Sequence, residues 1–89
     1  MGMTVYVENG DSWEYRTAGV ITYYHEITKE RYDRLSSMLY RDREKIIESG
    51  LSDSDRWGYG YYGHELANKK KGEVNGKYYL GKKIGSSCD

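Results

Sequence analysis

Phenylalanine is absent from the 89 residues, and isoleucine, leucine and valine together number only fourteen. Eleven tyrosines and two tryptophans must therefore supply much of the hydrophobic core. A buried tyrosine hydroxyl needs a hydrogen-bond partner, so we expect most of these rings to be half-buried with the hydroxyl at the surface. A large population of half-exposed aromatic side chains is typical of binding surfaces.

Cysteine, net charge and long apolar segments are also scarce. The single cysteine, Cys88, excludes an internal disulfide, which suits a protein of the reducing cytoplasm. No apolar run is long enough to span a bilayer and no signal peptide is evident, so we expect a cytoplasmic protein without a membrane partner. Fourteen basic and fourteen acidic residues cancel. This balance argues against a dedicated nucleic-acid binder, because such domains are usually strongly basic.

The first third of the chain is rich in strand-forming residues. Residues 4–8 alternate between apolar and polar types, and Asn9-Gly10 then gives a strong hairpin signal, because both residues tolerate positive φ. Residues 13–16 would form the return strand. Residues 20–27 are the best strand in the chain, since all but two are β-branched or aromatic.

A helix is predicted over residues 29–49, with Thr28 as its N-cap. Apolar residues at helical spacing form one seam, which we expect to lie against a sheet: Tyr32, Leu35, Leu39 and Ile46. Asp42 and Arg43 interrupt this seam, so the helix could bend or divide there.

Two further strands follow the helix. Residues 57–66 read as a strand, Asn75-Gly76 is a second hairpin signal, and residues 77–84 form its return strand. The predicted fold is a single small α+β domain with the order β-β-β-α-β-β, in which one helix lies on an antiparallel sheet.

The segment 57–66 holds the predicted binding surface. Alternation along a strand places Trp57, Tyr59 and Tyr61 on one face, and Gly58, Gly60, Tyr62, His64 and Leu66 on the other. Gly58, Gly60 and Gly63 would let a ligand approach the backbone closely. The return strand adds Tyr78, Tyr79 and Lys82. Aromatic faces can stack on bases and lysines can attract phosphate, but the same side chains also suit a protein interface or a core that lacks phenylalanine.

The three glycines also spell G-x-G-x-x-G, a dinucleotide-binding pattern. That motif needs a helix directly after it within a βαβ unit of about 30 residues, whereas here a lysine-rich segment follows. The chain is also too short for that fold. An aromatic strand in which glycines separate the bulky side chains is the better interpretation.

Few residues could carry catalysis. Adjacent His64 and Glu65 face opposite ways in a strand and cannot form one catalytic pair. His25 could lie on a strand beside His64, where two histidines would bind a metal or shuttle a proton, but a histidine packed on an aromatic sheet is the commoner case. With Cys88 these histidines lack metal-ligand spacing, and Cys88 lies one residue from the end of the chain. We expect no catalytic residues, no metal and no cofactor.

Three segments and the ending prompt a comparison with known proteins: residues 26–32, 58–63 and 76–81, and Gly-Ser-Ser-Cys-Asp at 85–89. The layout resembles that of small uncharacterised phage and prophage proteins, and the resemblance covers about half of the chain. Such proteins often act by binding and blocking a host or defence component, so the resemblance implies a similar role in the host cell cytoplasm. It carries over no functional residue.

The sequence therefore predicts a small non-enzymatic binding protein. Its first expected role is that of a phage-type inhibitor of a host or antiviral-defence protein, acting through the Tyr/Gly-rich β surface. An alternative is sequestration of a nucleotide-like signal by tyrosine stacking and lysine–phosphate contacts. A further alternative is weak single-stranded nucleic-acid binding, and a homodimer is left open.

Overall fold

A computed structural model describes residues 10–51 and 60–85 of the chain. These residues form four strands and two helices: β1 (Ser12–Thr17), β2 (Val20–Ile27), α1 (Lys29–Ser36), α2 (Tyr40–Ser49), β3 (Tyr61–Lys70) and β4 (Glu73–Gly85). The protein is a small, mostly sheet α+β structure, as predicted in outline. The predicted strand 4–8, Asn9, Trp57, Gly58, Tyr59 and Cys88 lie outside the described residues.

All four strands pair antiparallel in one sheet with the order β1-β2-β4-β3. The predicted strand 20–27 is confirmed as β2, and its β-branched and aromatic residues explain its strength. Gly19, at φ 83°, closes the turn from β1 to β2, where a residue with a side chain would be strained.

The prediction of one helix over 29–49 is wrong in detail, because the helix is divided at Ser37–Leu39. Thr28 caps α1 as predicted, its hydroxyl accepting a hydrogen bond from the Arg31 amide at 3.0 Å. The Ser36 and Ser37 hydroxyls bond back to carbonyls of the last turn, which competes with continuation of the helix. Leu39 is extended, with ψ 149°, and begins α2 as its N-cap.

The second hairpin turns at Lys71-Gly72, not at the predicted Asn75-Gly76. Lys71 and Gly72 have φ of 53° and 87°, the positive values that a tight hairpin turn requires at both central positions. Asn75-Gly76 instead forms an irregularity within β4, where Gly76 has φ 77°. There, Ala67 pairs with Tyr79 and Lys69 pairs with Val74. An advance of two residues along β3 therefore corresponds to five residues along β4.

The helices lie on one side of the sheet, which we call the inner face, and the opposite side is the outer face. The core beneath the helices consists of Ile27, Leu35, Ile47 and Leu80, each at most 2 % exposed. Leu35 therefore occupies the buried seam as predicted, but Leu39 does not, since it is 64 % exposed at the helix break. Neither described helix is long and apolar enough to cross a membrane.

Candidate functional site

A bulge at the start of β3 divides the predicted binding surface between the two faces of the sheet. Tyr61 pairs with Ile84 and Gly63 with Lys83, so two steps on β3 oppose one step on β4. Such a bulge reverses the alternation beyond it. Tyr61 and His64 consequently both face the helices, while Tyr62 points to the outer face. The expectation that Tyr62 and His64 share a face is wrong for this reason.

The remaining predicted residues are also distributed over both faces. Tyr78 lies on the inner face against Tyr32, with ring centroids 4.8 Å apart. Lys82 is on the same face, since it is the cross-strand partner of both Tyr23 and His64. Tyr79 is on the outer face and is fully buried. The predicted binding roles of Trp57, Gly58 and Tyr59 stay predictions, because those residues lie outside the described part.

The two described glycines of the predicted binding segment, Gly60 just before β3 and Gly63 within it, are required by the fold. A Cβ atom at Gly63 would lie 2.7 Å from the Tyr40 hydroxyl oxygen, so α2, and not a ligand, uses the space at Gly63. Gly60 has φ 95°, which a residue with a side chain adopts only with strain. Its carbonyl accepts a hydrogen bond from the Gly85 amide at 2.9 Å. Both glycines thus serve the fold.

His64 is the centre of a buried polar network on the inner face. Its side chain is 0 % exposed, and Nδ1 lies 2.5 Å from the Glu44 Oε1 atom. The Arg43 Nε–H donates to His64 Nε2 at 2.8 Å, so Nε2 is the acceptor and Nδ1 carries the hydrogen that it donates in a hydrogen bond to Glu44. The Tyr40 ring stacks on the imidazole at 4.4 Å, and the Tyr61 hydroxyl donates to Glu44. Neither imidazole nitrogen is left to accept a proton from a substrate.

Arg43 also ties the break between the helices to this network. Its Nη1 group donates to the carbonyl of Leu35 in α1 at 3.1 Å and to the carbonyl of Met38 in the break at 3.3 Å. The network therefore joins the end of α1, the body of α2 and strand β3.

The two histidines do not form a pair. His25 is on β2 and His64 on β3, and β4 lies between these strands. The alternative in which the two histidines would lie on neighbouring strands is therefore wrong. Within residues 10–51 and 60–85, no three His, Cys, Asp or Glu side chains are grouped as metal ligands would be.

Because His64 is buried, we expect the free energy of unfolding to depend on pH. Burial lowers the pKa of His64 below its usual value of 6.5, with Glu44 opposing the shift and Arg43 reinforcing it. Below about pH 6.5 the unfolded chain binds a proton at this histidine that the folded chain does not. We expect the free energy of unfolding to decrease as the pH falls from about 6.5 to 5, by at most about 1.4 kcal/mol per pH unit.

Urea denaturation at pH 7, 6 and 5 checks this expectation, with His64→Gln as the comparison. The amide of glutamine cannot titrate, so the variant should lose most of the slope between pH 6.5 and 5. Equal slopes in the two proteins would show that His64 is not responsible.

The outer face carries a second cluster, formed by aromatic rings from β1, β2 and β4. Trp13 stacks on Tyr24 with ring centroids 3.9 Å apart and an angle of 10°, and its edge meets Tyr79 at 5.9 Å. The side chain of Tyr24 passes over β4 at Gly81. A Cβ atom on that glycine would lie 2.8 Å from the Tyr24 ring. The Tyr24 hydroxyl reaches Glu65 on β3 and donates a hydrogen bond to the carboxylate. Burial, and then the Glu65 carboxylate, raise the pKa of Tyr24 far above its ordinary value, so this hydroxyl stays protonated.

Asp11 fastens the β3–β4 hairpin over this cluster. Its carboxylate accepts hydrogen bonds from Lys70 Nζ at 3.0 Å and from the Tyr79 hydroxyl at 3.0 Å, and Lys77 Nζ lies 3.6 Å away. The bond from Lys70 is the main cause that lowers the pKa of Asp11 to about 2. Asn75, which lies in the irregular part of β4, donates a hydrogen bond to the Tyr79 hydroxyl at 2.7 Å. The aromatic cluster is therefore fixed on one side by the hairpin end.

An open cleft lies next to this cluster, with a volume of about 370 Å³. We call it the tyrosine cleft, and its lining is Tyr15, Thr17, Val20, Thr22, Tyr24, Tyr62, Glu65 and Lys83. Tyr24 and Thr22 are buried, whereas Tyr15 and Tyr62 are 56 % and 63 % exposed. The cleft therefore has a fixed floor and two accessible aromatic side chains.

The charged pair in the tyrosine cleft is accessible. Lys83 Nζ lies 3.3 Å from Glu65 Oε1, and both side chains are 38 % exposed. The pair places a hydrogen-bond donor beside an acceptor, with no net charge. Such an arrangement can bind a polar group that itself carries an acceptor beside a donor.

Sequence analysis identified only Tyr62 among the residues that line the cleft. Tyr15 and Tyr24 could have been found, because alternation along 13–16 and 20–27 places them on one face with Trp13. The contributions of Glu65 and Lys83 depend on the bulge and the strand order, and no local pattern indicated either.

No family model matches the chain, and no curated protein or solved structure matches it.

Proposed function

We propose that the protein is a non-enzymatic binding protein that acts through the tyrosine cleft. The observation that carries the proposal is the combination of a rigid floor with two exposed tyrosines, Tyr15 and Tyr62. Tyrosine side chains are frequent binding hot spots, because they offer a large contact area with few rotatable bonds. A floor already held by stacking and hydrogen bonds adds little ordering cost on binding.

The inner-face network supports a role without catalysis. His64 and Glu44 have the composition of a general-base pair, but Arg43 occupies the nitrogen that would receive the proton. A general base needs a free acceptor within hydrogen-bond reach of a substrate. This network instead fastens α2 to the sheet.

The proposed role is that of a phage-type inhibitor which occupies a host or antiviral-defence component. Inhibition by occupancy requires a preformed surface and no chemistry, and the tyrosine cleft meets that requirement. A host or defence protein would place an apolar or aromatic side chain between Tyr15 and Tyr62 and a polar group on Lys83 and Glu65.

Affinity capture from host lysate, together with mass spectrometry of small molecules released from the purified protein, tests this function. Tyr62→Ala should weaken the captured complex by about 30-fold or more, since a hot-spot tyrosine contributes about 2 kcal/mol. Tyr23→Ala is the matched control, because Tyr23 is 37 % exposed but lies on the inner face of β2. If the complex is lost with Tyr23→Ala and kept with Tyr62→Ala, the cleft is not the binding surface.

A further inference from the structure

We propose that the tyrosine cleft binds a nucleobase, and hence that its ligand is a small nucleotide-like molecule. This inference rests on the first part of the proposed function, that the protein binds through the tyrosine cleft, and it names a small molecule instead of a host protein as the occupant. Four features of the cleft carry it: its size, its exposed rings, its donor–acceptor pair and a lysine in the neighbouring hollow.

The tyrosine cleft has room for a small ligand. Its volume of about 370 Å³ lies in the range of roughly 300–1,000 Å³ that is common for small-molecule sites. Its floor is fixed, because Tyr24 is held between Trp13 and Gly81 and bonded to Glu65. A ligand can therefore enter without rearrangement of the sheet.

The exposed rings select a planar molecule. Tyr15 and Tyr62 are more than half exposed, and both line the same cleft. Bases stack on such rings regardless of sequence, because every base has a π face. Enzymes that hold an isolated base use the same two elements, aromatic stacking and hydrogen bonds to the base edge.

Glu65 and Lys83 supply the hydrogen bonds to that edge. The carboxylate accepts and the ammonium donates, and the two groups are adjacent at 3.3 Å. Each nucleobase presents an N–H donor beside a ring-nitrogen or carbonyl acceptor, so its edge is complementary to this pair. The pair is neutral overall, which suits an uncharged ring and disfavours an isolated anion in the same place.

A second hollow of about 410 Å³ provides the place for an anionic group. It shares Tyr15 and Tyr24 with the tyrosine cleft and is lined by Lys71. A nucleotide with its base at Glu65 and Lys83 can direct its phosphate across Tyr15 towards Lys71. This arrangement explains why a neutral cleft would still hold a charged ligand.

Isothermal titration calorimetry with AMP, GMP, CMP and UMP tests the proposal, with ribose 5-phosphate as the probe that lacks a base. We expect at least one mononucleotide to bind and ribose 5-phosphate to bind at least tenfold more weakly. Tyr62→Ala should weaken the bound mononucleotides by about 5- to 150-fold, the range found when a base loses an aromatic partner. Lys71→Met should weaken the mononucleotide but not the corresponding nucleoside.

Glu65→Gln separates base recognition from support of the floor. Glutamine keeps an acceptor for the Tyr24 hydroxyl but replaces one acceptor at the base edge with a donor. The variant should melt within a few degrees of the wild type and yet change the order of preference among the four bases. Lys82→Met is the matched control for Lys83→Met, because Lys82 is the neighbouring lysine on the inner face. Only Lys83→Met should weaken binding.

Each other outcome has a definite meaning. No mononucleotide binding at millimolar concentration, beside a captured protein that requires Tyr62, would overturn the nucleobase inference and leave the proposed function in place. Mononucleotide binding that is unaffected by Tyr62→Ala and Glu65→Gln would place the nucleotide outside the tyrosine cleft and overturn the inference, while the capture experiment with Tyr62→Ala would still decide the proposed function. Tighter binding of an oligonucleotide, with a steep dependence on salt, would overturn the inference in favour of a single-stranded nucleic acid.

Discussion

Replacing Leu35 with alanine should lower the free energy of unfolding by about 2–5 kcal/mol, the usual cost of removing a buried leucine side chain. Leu35 is 1 % exposed, and among the described residues it forms the buried core beneath the helices with Ile27, Ile47 and Leu80. A cavity there would be shared by α1, α2 and the sheet, and the small core offers few side chains to fill it. Urea denaturation followed by circular dichroism measures the loss.

Leu39→Ala provides the matched control for the same chemical change. Leu39 is 64 % exposed at the break between the helices, so its replacement should change the free energy of unfolding by about 0.5 kcal/mol or less. A continuous helix with Leu39 in its apolar seam would instead make the two variants similarly unstable. Similar losses would therefore contradict the division at Ser37–Leu39.

Gly81→Ala should destabilise the protein by about 1–3 kcal/mol, the range for inserting a methyl group into a packed site. The added Cβ would lie 2.8 Å from the Tyr24 ring and 2.9 Å from Thr22 Cγ2. The ring cannot retreat easily, because Trp13 stacks on its other side and Glu65 holds its hydroxyl. Displacement of Tyr24 should also reduce binding in the tyrosine cleft, whose floor it forms.

Gly50→Ala serves as the control for this substitution. Gly50 is exposed at the end of α2 with φ −98°, which an alanine can adopt. Denaturation curves should show a clear loss for Gly81→Ala and little change for Gly50→Ala. In a Tyr24→Leu background the cost of Gly81→Ala should fall, because the ring that opposes the new methyl group is gone. An unchanged cost would show that Tyr24 does not occupy the space at Gly81.

Local sequence signals predicted the elements whose causes are local. β2 follows from a run of β-branched and aromatic residues, and α1 begins where Thr28 can cap it. The break at Ser37 depends on serine hydroxyls that bond to carbonyls and on Arg43, which reaches back from α2. A seam of apolar residues cannot reveal such a break, because Leu39 keeps the helical spacing.

The two errors in the second hairpin have a common physical cause. Asn-Gly favours a tight turn wherever it occurs, but here the Asn75 amide bonds to Tyr79 and the turn is left to Lys71 and Gly72. The bond from Asn75 to Tyr79, whose hydroxyl is itself bonded to the distant Asp11, thus outweighs the local turn preference. The bulge before Gly63 likewise follows from the close approach of Tyr40, which is distant in the sequence.

The candidate site could be predicted only in part, because it is assembled from all four strands. Its tyrosines are visible in the sequence, and Tyr62 was identified there as a binding residue. Tyr24, Glu65 and Lys83 come together because the strand order is β1-β2-β4-β3. In this order β4, which carries Lys83, lies between β2 and β3. A chain with many similar tyrosines gives no local sign of which ones are exposed.

The most direct test of the tyrosine cleft as the binding surface is a set of ¹H–¹⁵N spectra of labelled protein, titrated with the component that it captures. The largest amide shifts should occur in residues that line the cleft, namely Tyr15, Thr22, Tyr24, Tyr62 and Lys83, while α1 and α2 change little. Shifts concentrated in α2 and around His64, with the cleft residues unchanged, would contradict the account.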